Sequence, residues 1–183
     1  KTAVLVMVFG TAAGLGGCDA ADLHPSKLAR LRAELASQDL ALREAFAVDW
    51  AVGAGDVTGP YDAILVDAPC TGVGTLRRRP DLWARRTLEG LGELARLQTR
   101  ILTRTAALLA PGGRLVYSVC SVLREEAEDV VEAALAGQAG PGSLERAPFP
   151  GGVFDPDVTS VRLLPHVQGT DGYFVASLRR RLS

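Results

Sequence analysis

Short apolar runs of strand length alternate along the chain with stretches whose leucines fall at helical spacing. The longest unbroken apolar run is Ala3–Phe9, followed by the glycine-rich TAAGLGG of Thr11–Gly17. Cys18–Leu23 (CDAADL) predicts a short strand, and Pro25–Leu40, with leucines at 28, 31 and 35, predicts a helix. Leu42–Val48 predicts the next strand, and Tyr61–Val66 (YDAILV) a buried one that ends at Asp67. Leu88–Leu109 carries Leu91, Leu94, Ala95, Gln98, Ile101, Leu102, Thr105 and Leu109 on one stripe, the mark of an amphipathic helix. The PGG at 111–113 predicts its stop and a turn. Arg114–Ser118 reads as a strand, Glu125–Ala136 as a helix whose acidic first turn suits the helix dipole, and Tyr173–Leu178 as a last strand. Gly137–Gly152, rich in glycine and proline, predicts a long loop inside the domain.

Ala3–Gly10 admits two readings, a first strand with a glycine loop or the remainder of a helix. A cofactor-binding loop should lead into a helix before the next parallel strand. Too few residues separate Gly17 from CDAADL to hold one, which favours the helix, with Thr11–Gly17 as its loop. The overall alternation predicts an α/β fold, a mostly parallel sheet with helices on both faces. In such sheets ligands sit beyond the carboxyl ends of the strands.

Composition narrows the picture only in places. A length of 183 residues suits one domain. A net charge of -1 argues neither for nor against a nucleic-acid partner, so local charge must decide. Cys18, Cys70 and Cys120 are an odd set without C-x-x-C spacing, which predicts free thiols in a reducing compartment and no metal site of that kind. The longest apolar run is far short of the ~20 residues of a membrane span, and no signal-peptide pattern is seen. The expected location is the cytoplasm.

Four polar features fall at proposed strand ends: Asp22, Asp49, Asp67-Ala-Pro-Cys70 and Ser118-Val-Cys120-Ser121. Asp22 suits either the entry to a helix or a carboxylate accepting from ribose hydroxyls. Asp49 alone reads as a solvated loop acid. A lone cysteine at a strand end is usually a small hydrophobe. Two of them in matching positions suggest a pair with chemistry, provided the pocket stabilises a thiolate. Arg77, Arg78 and Arg79 suit phosphate contact or a solvated run equally. Beyond Trp83 no aromatic residues interleave them.

YDAILVDAPCTGVGTLRRRPDLW and LVYSVCSVLREEAEDVV, with ADLHPSKLARL upstream and LLPHVQGTDGYFVASLRR downstream, resemble the RsmB/Sun-type RNA cytosine-5 methyltransferases over nearly the whole chain. The resemblance implies a Rossmann-like class I fold that uses S-adenosylmethionine. It implies Cys120 as the nucleophile on C6 of cytosine and Cys70 as the thiol that assists loss of the C5 proton and enzyme release. It implies Asp67 as the group holding the N3 edge of the base near the cofactor, and Pro69 as support for that loop. Asp22 matches the acid that binds ribose and Asp49 the acid near adenine. Lys1-Thr2 matches the end of the family's first motif, so Lys1 would touch the cofactor.

Residues before that point of the motif are not in the chain. The expectation is therefore one catalytic domain over 1–183 that lacks the N-terminal RNA-binding region and the central first strand, and that binds S-adenosylmethionine weakly by itself. Val119 replaces the family's usual threonine and Gln168 a common histidine. The implied partner is RNA, ribosomal first and transfer RNA second, with no metal and no membrane. An inactive RNA-binding module is the competing reading, and the two retained thiols speak against it.

Overall fold

The structure is a computed structural model that describes residues 5–9, 17–85, 87–137, 143–152 and 154–182. Eight strands form one sheet: β1 (Leu5–Phe9), β2 (Cys18–Asp22), β3 (Leu42–Ala47), β4 (Tyr61–Asp67), β5 (Leu109–Val119), β6 (Leu144–Arg146), β7 (Ser160–Leu163) and β8 (Tyr173–Arg180). The helices are α1 (Pro25–Ala36), α2 (Leu88–Ala106), α3 (Glu128–Ala136) and the short α4 (Pro165–Gln168). Strand order is β3-β2-β1-β4-β5-β8-β6, with β7 also on β8. Each β-α-β crossover yields the parallel pair it should: β2 with β3 through α1, and β4 with β5 through α2. The right-handed rule then sends α1 to one face of the sheet and α2 to the other, because the two crossovers run in opposite directions along it.

The remaining pairs are antiparallel, so the sheet expected to be mostly parallel is mixed. Strand β8 returns directly beside β5 and carries β7 and β6 along its other edge. The other departure lies at Leu5–Phe9. The residues read as a helix remnant form β1, hydrogen-bonded antiparallel to β2 on one side and β4 on the other. An apolar run rich in valine suits a central strand, and leaving the inner edges of β2 and β4 unpaired would cost buried backbone hydrogen bonds. The short path to Cys18 allows an antiparallel return, not the crossover a parallel neighbour would need.

Two other sequence expectations move. The PGG does not precede the strand but bulges within it. Tyr61 pairs with Leu109 and Ala63 with Arg114, so the chain between loops out of register. Gly112, at φ 77°, takes the left-handed conformation this bulge needs. The loop expected over Gly137–Gly152 contains β6, a strand too short to register in a pattern of alternation. Core side chains come from alternate positions on the central strands, Ile64 and Val66 of β4, Leu115, Tyr117 and Val119 of β5, and Phe174, Ala176 and Leu178 of β8, with Tyr61 buried at the start of β4 before the register shift. Ile101, Leu102 and Ala106 of α2 and Val130, Val131 and Ala134 of α3 complete the core.

Candidate active site

The parallel pairing of β4 and β5 sets the two cysteines side by side. Asp67 lies opposite Ser118 in register, and the amide of Ala68 donates to the Ser118 carbonyl at 3.0 Å. Beyond that point both chains turn off the sheet, and the Sγ atoms of Cys70 and Cys120 meet at 3.2 Å as free thiols. The environments differ. Cys70 is 2 % exposed, whereas Cys120 is only half-buried. Of two thiols sharing a proton, the better solvated one carries the charge at lower cost. The Cys70 hydrogen bond holds Cys120 below the usual thiol range. The same bond, together with burial and the nearby Glu126 charge, pushes Cys70 far above it.

Backbone and side-chain hydrogen bonds lock this turn. The amide of Gly74 donates to the Cys120 carbonyl at 3.1 Å, and Gly172 donates to the Gly74 carbonyl at 2.8 Å. The backbones at 74 and 172 come so close that a Cβ on Gly74 would lie 2.0 Å from the Gly172 oxygen. Glu126, wholly buried, accepts from the Thr71 amide at 2.7 Å, the Thr71 hydroxyl at 2.5 Å and Gln98 Nε2 at 3.1 Å. Gln98 Nε2 also donates to the Pro69 carbonyl at 2.7 Å. The acidic run around Glu125 reads in the sequence as dipole partners of a helix. Instead Arg124–Glu126 forms a separate 3-10 turn that aims Glu126 inward, and the helix begins at Glu128. A Gln on the apolar stripe of α2 was the available signal that something polar waited beneath.

Asp67 opens to solvent at the mouth. Its surroundings still thin its hydration enough to raise its carboxyl above the ordinary range, against the pull of Lys27. Burial and the charges of Cys120, Asp67 and Asp171 raise the Tyr173 hydroxyl, which places that ring beside the same mouth. Neither Lys27 nor Tyr173 carried a sequence signal. A groove of about 550 Å³, lined in part by Thr71, Val73, Leu91 and Val122, runs from the thiol turn to Trp83 and Leu88. Trp83 is 76 % exposed there.

The acids expected to hold the cofactor lie on the other half of the sheet. Asp22 is buried at the end of β2. Its Oδ1 accepts from the His24 amide at 2.7 Å, while Oδ2 faces Lys27 at 4.0 Å. It thus serves the entry to α1 through one oxygen and leaves the other facing Lys27. Asp49 follows β3, is exposed, and accepts from the Ala51 amide at 2.9 Å in a tight turn. Asp22 and Asp49 sit at neighbouring strand ends, since Val48 donates to the Asp22 carbonyl. That arrangement fits the ribose and adenine side of a nucleoside cofactor. Lys1 lies outside the described residues. Of the arginines, Arg78 is engaged with Asp171 through Nε at 2.7 Å, Arg77 stands 3.9 Å from the same carboxylate, and Arg79 stands 3.5 Å from Asp81. Among the described residues no cluster of His, Cys, Asp and Glu could hold a metal ion, and no helix is long and apolar enough to cross a membrane.

A Rossmann-like sheet with acids and thiols at its carboxyl edge is the architecture of a class I methyltransferase. Residues 1–179 match the family model described as 16S rRNA methyltransferase RsmB/F, and the chain belongs to that family. It is 36% identical over 174 residues to the probable ribosomal RNA small subunit methyltransferase B of Bacillus subtilis (strain 168), covering 91% of this chain and 38% of that protein. It is 37% identical over 169 residues to ribosomal RNA small subunit methyltransferase B of Pseudomonas syringae pv. tomato, covering 90% of this chain and 37% of that protein. Among solved structures, a methyltransferase homolog from Pyrococcus horikoshii matches with TM-score 0.68 at 31% identity, over 88% of this chain and 52% of that one. NSun6 from Pyrococcus horikoshii, solved with SFG, matches with TM-score 0.68 at 27% identity, over 90% of this chain and 41% of that one. The chain thus spans under two fifths of the length of these two curated relatives. S-adenosylmethionine is the cofactor that goes with the family.

Proposed function

We propose that this chain is the catalytic part of an enzyme that methylates C5 of a cytosine in RNA through a covalent cysteine adduct, with small-subunit ribosomal RNA as substrate. The observation that carries the proposal is the unequal thiol pair, 3.2 Å apart at the ends of two adjacent parallel strands. C5 of cytosine is a poor nucleophile by itself. The Cys120 thiolate adds to C6, forming the S–C6 bond, and the C5=C6 electron pair shifts onto C5. Asp67, at the mouth beside Cys120, hydrogen-bonds the N3 edge and stabilises the charge that builds there, and burial raises its carboxyl above the ordinary range, toward the form that can donate. S-adenosylmethionine, when bound, supplies the methyl group, with Asp22 and Asp49 on its ribose and adenine side, and Asp67 and Pro69 near the reacting centre. The C5 proton then leaves, the C6–S bond breaks with its electrons returning to sulfur, and the double bond is restored. Once Cys120 is bonded to C6 it no longer carries the charge that keeps Cys70 protonated, so Cys70 can give its own proton to solvent and accept the one that leaves C5. Two thiols are present because two steps need them.

The base must leave its stack to enter, which costs a few kcal/mol and favours loops and single strands. Trp83 and the groove beside it offer a stacking face for a neighbouring base. Arg77 and Arg79, with side chains mostly exposed, are the arginines available to phosphate. The relatives' names favour small-subunit ribosomal RNA over transfer RNA. The test is trapping on RNA containing 5-fluorocytosine by the intact protein. Wild type is expected to form a stable complex and Cys120→Ala none. Cys70→Ala is expected to accumulate a covalent complex even on ordinary RNA. The reverse pattern would refute the assignment of roles.

A further inference from the structure

Glu126 has no part in the reaction as written, yet it is wholly buried without a cationic partner among its hydrogen bonds. A buried carboxylate is tolerated only where donors replace water. Here the donors are the Thr71 amide, the Thr71 hydroxyl and Gln98 Nε2. Thr71 follows Cys70 directly, and the same Gln98 nitrogen holds the Pro69 carbonyl before it. Cys70 is therefore gripped on both sides by one buried network. The network is itself braced from below, where the Tyr117 hydroxyl donates to the Glu126 carbonyl at 2.7 Å.

Resting on the thiol roles proposed above, we infer that Glu126 is the positioning residue of Cys70: through Thr71 and Gln98 it holds that thiol against Cys120 and so governs release of methylated RNA. Its second contribution is charge. Standing near Cys70, the carboxylate disfavours a thiolate there and leaves Cys70 as the proton carrier of the pair. Glutamine at 126 can keep the geometry, since its oxygen accepts the amide and its nitrogen donates to the Thr71 hydroxyl. Alanine leaves both Thr71 donors unpaired and Gln98 Nε2 with the Pro69 carbonyl alone.

The test uses the intact protein and ordinary RNA, with Cys70→Ala run in parallel. Glu126→Ala is expected to accumulate covalent RNA complex about tenfold above wild type, imitating Cys70→Ala, and Glu126→Gln to restore release to within a few-fold. A purely structural defect would lose methylation without trapping RNA. A second readout needs no RNA: Glu126→Ala should raise the rate of Cys70 alkylation by N-ethylmaleimide, followed by peptide mass spectrometry, several-fold as the turn loosens. If Glu126→Ala does not fold, Thr71→Val removes one bond of the clamp and should give the same two changes at smaller size. Wild-type trapping together with wild-type Cys70 labelling would overturn the inference. So would loss of methylation without trapped RNA in a variant that melts like wild type. If Cys70→Ala traps no RNA, the thiol roles fail, and the labelling readout alone then decides whether Glu126 positions Cys70.

Discussion

The two halves of the strand-end cleft are built to different standards. On the β4–β5 side, each element of the thiol turn is held by a specific partner: Thr71 by the buried Glu126, Pro69 by the buried Gln98, Gly74 by both Cys120 and Gly172. On the β2–β3 side, Asp49 stands in an exposed turn and Asp22 spends one oxygen on α1. Between them β1 runs antiparallel, so no carboxyl end of a strand opens into the middle of the cleft. The difference follows from what each half must do. Thiols that share a proton must be held to a fraction of an ångström, whereas an acid that serves a surface turn or the entry to a helix carries no such demand.

The comparison is broken most severely at Gly74. A Cβ there meets the Gly172 oxygen at 2.0 Å, backbone against backbone, so neither side can yield without moving Cys120. Gly74→Ala is expected to cost ~3 kcal/mol or more and to cut methylation roughly a hundredfold. Gly53→Ala, in the Asp49 turn, meets nothing closer than 3.9 Å and should change neither. Thermal melting and methyl-transfer rates of the two variants decide it, and equal behaviour would erase the distinction between the halves.

The sequence made the thiol pair legible and hid what holds it. Strand ends at Asp67 and Ser118 could be read from apolar runs, and with them the meeting of Cys70 and Cys120. The parallel crossovers through α1 and α2 followed from helical spacing in the same way. Glu126 could not be read, because an acid in a helix-like run looks like a dipole partner until the chain breaks into a 3-10 turn before Glu128. Leu5–Phe9 was misread because local connection length argued for a helix, while the vacant edges of β2 and β4, a long-range fact, decided for a strand. Strand β6 escaped because three residues carry no periodicity.

A smaller effect separates the two thiols themselves. Cys120 titrates below the ordinary range chiefly because Cys70 donates to it, so its alkylation should reach half-maximal rate below pH ~8.5, the value of a free thiol. Cys70→Ala removes the donor and should move that midpoint upward, slowing alkylation at neutral pH. Iodoacetamide labelling against pH, read by peptide mass spectrometry, checks both.

The mildest test concerns the floor beneath the β2–β3 half. Asp19 of β2 is buried. Burial alone would raise its carboxyl, but hydrogen bonds from Arg43 and the Tyr61 hydroxyl, the latter at 3.0 Å, outweigh it and hold it below the ordinary carboxylate range. A carboxyl lowered by folding stabilises the folded chain above its unfolded pKa, and that stabilisation is lost as pH falls through the folded value. Arg43 is half-exposed, which screens the pair and keeps the effect small. Melting temperatures of wild type should therefore fall as pH drops through and below the ordinary carboxylate range, and Asp19→Asn should be the less stable above it and converge with wild type as Asp19 takes up its proton. The same substitution should leave Cys120 alkylation untouched, because no hydrogen bond of the thiol turn reaches Asp19, and a change there would show that the two halves are coupled through β4.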